Sequence, residues 1–401
     1  MKILATGMEW FEHIPGGLNQ YYADYLKAMA AYGHEVEGLL TGEGQALPPA
    51  PAYIRDVMHG DAKLTTLNRI RSFYRAGKER AAAFRPQVFN PHFALYASLL
   101  SRSAIPSHIP IVTHFHGPWA HESMVEDMGG AKLPNLLRFA VKKSIEQNVY
   151  RRSDAFIVLS VYFRDVLSRE FGIDESRIHV IPGAADIHRF RPAEDREGVR
   201  RRLGLAPNAR VLFSARRLVR RMGIDQLIRA MRQVCAAVPD TVLLVAGAGP
   251  LEEELKALIA EQSLQGSVRM LGRVSNEELV DWYQAADLSI VPTLTLEGFG
   301  LVTTEALACG TPVLGTPYGG TKEILEGLSE QLLFADHSPE AMAQKLVSVL
   351  TGECPIPSRE ACRDYVLQHY TWPRIAACVT EVLEQAIQLR KEHAGYEGSV
   401  L

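Results

Sequence analysis

Residues 293 to 320 read Thr-Leu-Thr-Leu-Glu-Gly-Phe-Gly-Leu-Val-Thr-Thr-Glu-Ala-Leu-Ala-Cys-Gly-Thr-Pro-Val-Leu-Gly-Thr-Pro-Tyr-Gly-Gly, and this stretch decides the fold. A strand ends at Pro292, a turn follows, glycines open a helix, a second strand runs from Pro312 to Gly315, and a glycine pair closes the segment. That succession builds an anion site. Small residues let backbone approach a ligand, and the first N–H groups of the helix after Gly300 carry partial positive charge without partners. Glu297 precedes the helix, and Glu305 is expected about two turns into it. Carboxylates accept hydroxyl hydrogens, so the set suits a ligand combining sugar with phosphate.

The pattern Glu297-Gly298-Phe299-Gly300-Leu301-x3-Glu305-Ala-x-Ala-x-Gly-x-Pro-Val resembles the E-x7-E motif of retaining glycosyltransferases of family 4. A bare glutamate pair at this spacing is common; Gly-Phe-Gly between the two and Gly-Thr-Pro-Val after them make the match specific. The resemblance implies an α/β protein of GT-B fold, two Rossmann-like doubly wound domains facing a central cleft.

Composition agrees with a soluble globular chain. With 401 residues, 47% hydrophobic and 22% charged, two domains are expected rather than one. The net charge of −3 divides into a neutral to slightly basic first half and an acidic remainder, which argues against bulk nucleic-acid binding. Five cysteines, all in the second half and without a C-x2-C pair, read as reduced, hence cytoplasmic. The opening Met-Lys-Ile-Leu-Ala is too short for a signal peptide, and no window reaches membrane-span length.

Taken in order, Lys2 to Thr6 is a buried strand, a loop ends in Ile14-Pro15-Gly16-Gly17, and a helix carries Leu18, Tyr22, Leu26 and Met29 on one face. This is the strand, glycine loop and helix start of a doubly wound domain. By resemblance Gly16 and Gly17 lie near the donor phosphates; otherwise they form a simple tight turn. Gly42 to Pro51 is loop. Lys63 to Arg85 reads as a basic amphipathic helix, able to lie on an anionic membrane or grip an anionic acceptor, although a solvated face is the commoner outcome. Ile109 to Thr113 is a strand that leads into His114-Phe-His116-Gly-Pro-Trp, which places an imidazole at the sheet's ligand edge. His116 matches the family's histidine before Gly or Asp. His114 and His121 lack the carboxylate or cysteine that would complete a metal site.

Ile181-Pro-Gly-Ala-Ala-Asp186-x3-Phe190 is similar to the family's interdomain signature. The expected division is residues 1–185, binding the acceptor, and 186–372, binding the nucleotide-sugar donor, with a final helix over 373–395 returning to the first domain. The second domain repeats strand and helix with short glycine turns, the pattern of a parallel sheet. Arg217 leaves its first strand at the ligand edge and matches the Arg of the family's Gly-Arg-Leu motif, where Arg and a Lys five residues later grip the donor diphosphate. Here the sequence departs from the pattern: the Lys position is Met222 and the Gly position is Arg216. Arg221 is the candidate replacement, although its planar fork would need a shifted backbone.

No Asp-x-Asp occurs, so no metal cofactor is expected; the helix N-terminus and Arg217 would stabilise the leaving phosphate instead. By resemblance Glu297 and His116 act at the donor sugar and Glu305 binds the ribose hydroxyls. The donor-binding set is Gly16, Gly17, Arg217, Arg221, Gly298, Phe299, Gly300, Leu301 and Glu305. The implied activity is retaining transfer of a hexosyl unit from a nucleotide-diphosphate sugar to a glycan, lipid-linked or small-molecule hydroxyl. A nucleotide-sugar epimerase or hydrolase of the same fold, and a non-catalytic nucleotide-sugar binder, are the competing readings. Contact with the inner membrane through Lys63 to Arg85 is the remaining expectation.

Overall fold

The structure, a computed structural model, describes residues 1–14, 16–42, 51–58, 65–100, 104–126 and 132–399. Pro15, most of the Gly42 to Pro51 loop, and Lys63 and Leu64 of the expected basic helix lie outside the described residues. The chain divides into two compact units, Met1–Gly183 with Trp372–Leu401, and Ala184–Thr371.

Among its described residues the first unit holds seven strands: β1 Lys2–Glu9, β2 Glu35–Thr41, β3 Ile54–Asp56, β4 Val88–Pro91, β5 Val112–Phe115, β6 Ala155–Val158 and β7 Ile178–Val180. Their orders are β3-β2-β1-β4 and β5-β6-β7, every pair parallel, and a parallel bridge from Phe89 to Ile111 joins the two sets. β1 is buried on both faces along most of its length, as the middle of a parallel sheet requires. Because β2 and β4 lie on opposite sides of β1, the strand order reverses there. In open parallel sheets ligands collect at that reversal, outside the carboxyl ends of the strands.

The second unit is a parallel sheet of β8 Arg210–Ala215, β9 Thr241–Ala246, β10 Val268–Gly272, β11 Leu288–Val291 and β12 Val313–Gly315, ordered β10-β9-β8-β11-β12. The reversal falls between β8 and β11. Local chemistry sets its helices. Ser275 and Glu278 form a reciprocal capping box, and Ser338 caps a helix whose first residue is Pro339. Two half-buried arginines take up backbone carbonyls, several of them at helix ends. Arg359 donates to the Gln284, Ala286 and Cys309 carbonyls, and Arg363 to those of Ile187, Phe190 and Ala308.

The final helix, Trp372–Ser399, belongs to the first unit, with Thr380 Oγ1 2.8 Å from His34 Nε2. The helix described as Thr66–Phe84 buries Phe73 and leaves Leu67 54% exposed. Arg80 is not part of a free basic face, since both arms of its guanidinium meet Glu37 at 2.6 Å. Larger apolar exposure lies on the helix Lys132–Tyr150, at Leu136, Leu137 and Val141. Among the described residues no helix is long and apolar enough to cross a membrane.

Candidate active site

In the second unit the chain leaves β8 at Arg216 and β11 at Pro292, on either side of the strand-order reversal. Arg216 is nine-tenths buried and donates through Nη2 to the Glu297 carboxylate and the Thr293 hydroxyl. Thr293 Oγ1 donates to the same Glu297 oxygen at 2.9 Å. Burial alone would push the Glu297 carboxyl up, but the Arg216 guanidinium, the Thr293 hydroxyl and the Arg221 charge outweigh it, holding Glu297 below the usual carboxylate range. Glu297 is therefore an ionised acceptor in a half-dry site.

The turn that carries Glu297 is held on both sides. Leu296 adopts a left-handed φ of 57°, a conformation costly for a branched side chain, and Arg221 Nη1 fixes its carbonyl at 3.1 Å. Behind it, the Gly320 N–H donates to the Glu297 carbonyl at 3.0 Å. A Cβ at Gly319, where φ is +60°, would lie 2.2 Å from that carbonyl oxygen, so the glycine pair permits the contact. Gly298 and the buried Phe299 continue the turn to Gly300, the left-handed N-cap of helix Leu301–Ala308. No side chain caps this helix and its first turn holds no acidic residue; the Thr303 and Thr304 N–H groups turn back to the Gly300 carbonyl, which leaves those of Leu301 and Val302 toward an anion.

Several expectations need correction. Glu297 stands in the turn and the helix begins at Leu301, so Glu305 lies about one turn in, not two. Glu305 is buried and accepts from the Tyr283 hydroxyl at 3.3 Å. The buried cation of the β8 edge is Arg216; Arg217 is exposed. Arg221 supports the backbone before Glu297, and Met222 is buried. A cavity of about 650 Å³ opens at the opposite, amino edge of this sheet, but Arg196 and Arg200 in its wall are engaged by Asp287 at 2.6 and 3.4 Å. It serves structure.

In the first unit, Gly16 caps the helix Gly17–Ala31 in extended conformation, with no side-chain cap and open space around it. His116 follows β5 and is half-buried, while His114 is fully buried within the strand. His92, at the end of β4, joins them: the rings of His92 and His114 stack 4.1 Å apart, and His92 Nδ1 lies 3.0 Å from His116 Nε2. Burial pushes the pKa of all three down, His116 to about 3, so the cluster is neutral at physiological pH. The helix Trp119–Glu126 after His116 begins on a buried carboxylate, Glu146, which accepts from the Trp119 and Ala120 N–H groups at 2.8 and 3.2 Å. Burial raises that carboxyl to about 7. His121 pairs instead with Glu170, at 3.2 Å, and among the described residues no group of three or more His, Cys, Asp or Glu is placed to hold a metal ion.

The sequence reading missed Arg216, Asn90, His92 and Glu146. His92 alone had a local signal, Phe-Asn-Pro-His at a strand end like that of His116.

Residues 195–369 match the family model described as glycosyl transferases group 1, and residues 15–189 match that of glycosyltransferase family 4. The chain belongs to the family 4 glycosyltransferases of GT-B fold. It is similar to the D-inositol 3-phosphate glycosyltransferase of Xylanimonas cellulosilytica, at 29% identity over 94% of this chain and 93% of the relative. Over 58% of this chain and 62% of the relative it is 31% identical to a GDP-mannose-dependent monoacylated alpha-(1-6)-phosphatidylinositol monomannoside mannosyltransferase of Corynebacterium glutamicum. Among solved structures, sucrose-phosphate synthase from Thermosynechococcus elongatus superposes with a TM-score of 0.77 at 21% identity, covering 97% of this chain and 100% of that one. Anabaena HepE in complex with UDP-glucose gives 0.72 at 19% identity, over 96% and 100% of the two chains.

Proposed function

We propose that this glycosyltransferase moves a hexosyl unit from a UDP- or GDP-sugar to a hydroxyl acceptor, with retention at the anomeric carbon and without a metal ion. The observation that carries the reading is Glu297, a buried carboxylate kept ionised by Arg216 beside the uncapped helix start at Gly300. Glu297 orients donor sugar hydroxyls, Glu305 takes the ribose hydroxyls, and Arg217 with the helix N–H groups receives the diphosphate. The C1–O bond to the leaving phosphate breaks as the acceptor oxygen bonds C1 from the same face, and the acceptor proton passes to the phosphate oxygen. Gly16 and Gly17 add a second uncapped helix start, and His116 meets a sugar hydroxyl. The names of the relatives, which include an inositol phosphate and GDP-mannose, and of neighbours solved with UDP-glucose support a nucleotide-sugar donor and an anionic polyol or lipid-linked acceptor.

The buried Met222 in place of the cation favours a second reading, a nucleotide-sugar binder without turnover. One experiment separates them. Purified protein is incubated with UDP- and GDP-sugars, inositol phosphate and EDTA, and products are followed by NMR of the anomeric proton. Transfer with the donor's anomeric configuration supports the proposal. Binding without product supports the second reading, an isomerised donor an epimerase, and transfer restored only by Mg²⁺ or Mn²⁺ would overturn metal independence.

A further inference from the structure

The histidine cluster of the first unit contains a chain of hydrogen bonds whose proton positions follow from one anchor. Asn90, fully buried on β4, places its side-chain Nδ2 against the Val112 backbone carbonyl. A carbonyl oxygen only accepts, so the Asn90 atom facing it is the amide nitrogen and the amide orientation is fixed. The Asn90 Oδ1 then faces His92 Nε2 at 3.1 Å. An oxygen there accepts, so His92 carries its proton on Nε2 and its Nδ1 is bare. His116 Nε2, 3.0 Å from that bare nitrogen, must supply the hydrogen. His116 is therefore the Nε2–H tautomer. By the same logic Asn90 Nδ2, 3.0 Å from His114 Nδ1, fixes His114 as Nε2–H.

The rings are not free to turn. His92 stacks on His114 and lies 5.2 Å from His116, Tyr21 meets His116 edge-on at 4.9 Å, and Trp372 lies 5.3 Å from Tyr21. A protonated His92 would turn its Nδ1 into a donor aimed at the His116 hydrogen, so the arrangement requires neutral rings. Their burial supplies that condition.

We propose that Asn90 and His92 are positioning residues that hold His116 as the Nε2–H tautomer, so that its Nδ1 accepts the hydrogen of a sugar hydroxyl. Only the clause about the sugar rests on the proposed function. In the relay, Asn90 fixes proton placement and His92 transmits it, as second-layer groups set the tautomer of a working histidine. His116 is thereby an acceptor toward substrate.

The test uses the full chain labelled with ¹⁵N-histidine and a long-range ¹H–¹⁵N correlation spectrum. His92, His114 and His116 should all show the Nε2–H pattern; an Nδ1–H pattern for His116 would overturn the relay, whether or not the protein transfers sugar. Asn90→Asp provides the second arm. A carboxylate beside His92 favours its imidazolium, whose Nδ1–H then points at His116 and drives it to Nδ1–H. With the tautomer reversed, kcat should fall roughly 10- to 100-fold while KM for the donor stays within about twofold. Unchanged kcat with a reversed tautomer would remove the acceptor role, and an imidazolium at His92 beside an unchanged His116 tautomer would remove the relay. Should the variant not fold, the wild-type spectrum alone decides.

Discussion

Replacing Arg216 by Met tests the centre of the site most directly. The side chains of Arg216 and Glu297 are 6% and 12% exposed, so the substitution leaves a carboxylate in a nearly dry place without its cation. Breaking one side of a buried pair costs about 3–5 kcal/mol, because the remaining charge is uncompensated. For a unit of this size each kcal/mol lowers Tm by about 2–4 °C, so the second unit should melt roughly 6–20 °C earlier.

The pH dependence sharpens the test. In the wild type, Glu297 has a folded pKa below its unfolded value, so the pair adds stability above the unfolded pKa and loses it as pH falls through the folded one. In Arg216→Met, burial acts with less opposition and raises the carboxyl. Its contribution is then present at low pH and lost as pH rises. The stability deficit should be largest at neutral pH and shrink on acidification, read by differential scanning calorimetry across pH 5 to 8 or thereabouts. Arg216→Met with Glu297→Gln should recover most of the stability and none of the transfer. A deficit below about 1 kcal/mol, the value of an exposed pair, or one that does not change with pH, would refute the reasoning.

Other outcomes follow from the same geometry. Glu305→Ala should weaken nucleotide-diphosphate and donor binding with less effect on chemistry than Glu297→Ala; calorimetry showing unchanged affinity for both ligands would remove its ribose role. The first unit should lose stability as pH falls from about 6.5, the ordinary histidine value, through the depressed values of the buried cluster, which for His116 is about 3 and for His92 and His114 lies well below the ordinary range. Denaturant unfolding followed by circular dichroism at a series of pH values checks this, and an unfolding midpoint unchanged between about pH 7 and pH 4 would contradict a neutral buried cluster. If the protein meets anionic lipid, Leu136→Gln with Leu137→Gln should release it from vesicles more than Arg71→Gln with Arg75→Gln, since the first pair stands exposed beside Arg138. Equal binding of both variants in low-salt sedimentation would leave neither helix in that role.

What could be read from sequence was what is locally encoded. The strands Thr241–Ala246 and Leu288–Val291 are of this kind, since both are apolar runs closed by Gly or Pro. The strand expected at Ile109 to Thr113 forms at Val112–Phe115 instead; Pro110 has no N–H to give a ladder. β3, three residues on a sheet edge, has no apolar alternation to announce it. The glycines and glutamates of the donor site were visible as a spacing, but Arg216 was not. Its partner lies 81 residues away on another strand end, and only the sheet order brings the two together. Likewise Asn90 and His116 come from neighbouring strands, and the proton logic between them needs distances.

Met222 and Arg216 make sense as one change rather than two. In the resembled pattern the turn after β8 carries a Gly, an Arg and, five residues on, a Lys; here a cation appears at the Gly and disappears at the Lys. The turn has no room to wander, since a Cβ on Gly223 would sit 2.0 Å from the Pro292 carbonyl oxygen at the end of β11. Met222 is buried in it, a place where an ammonium would have to be desolvated, whereas Arg216 reaches the Glu297 carboxylate directly with a planar group suited to burial. The positive charge is conserved in number and moved from the end of the turn to its start. That relocation neutralises Glu297 from within the protein. In the proposed function, the exposed Arg217 is then the neighbouring cation at the β8 edge assigned to the donor diphosphate.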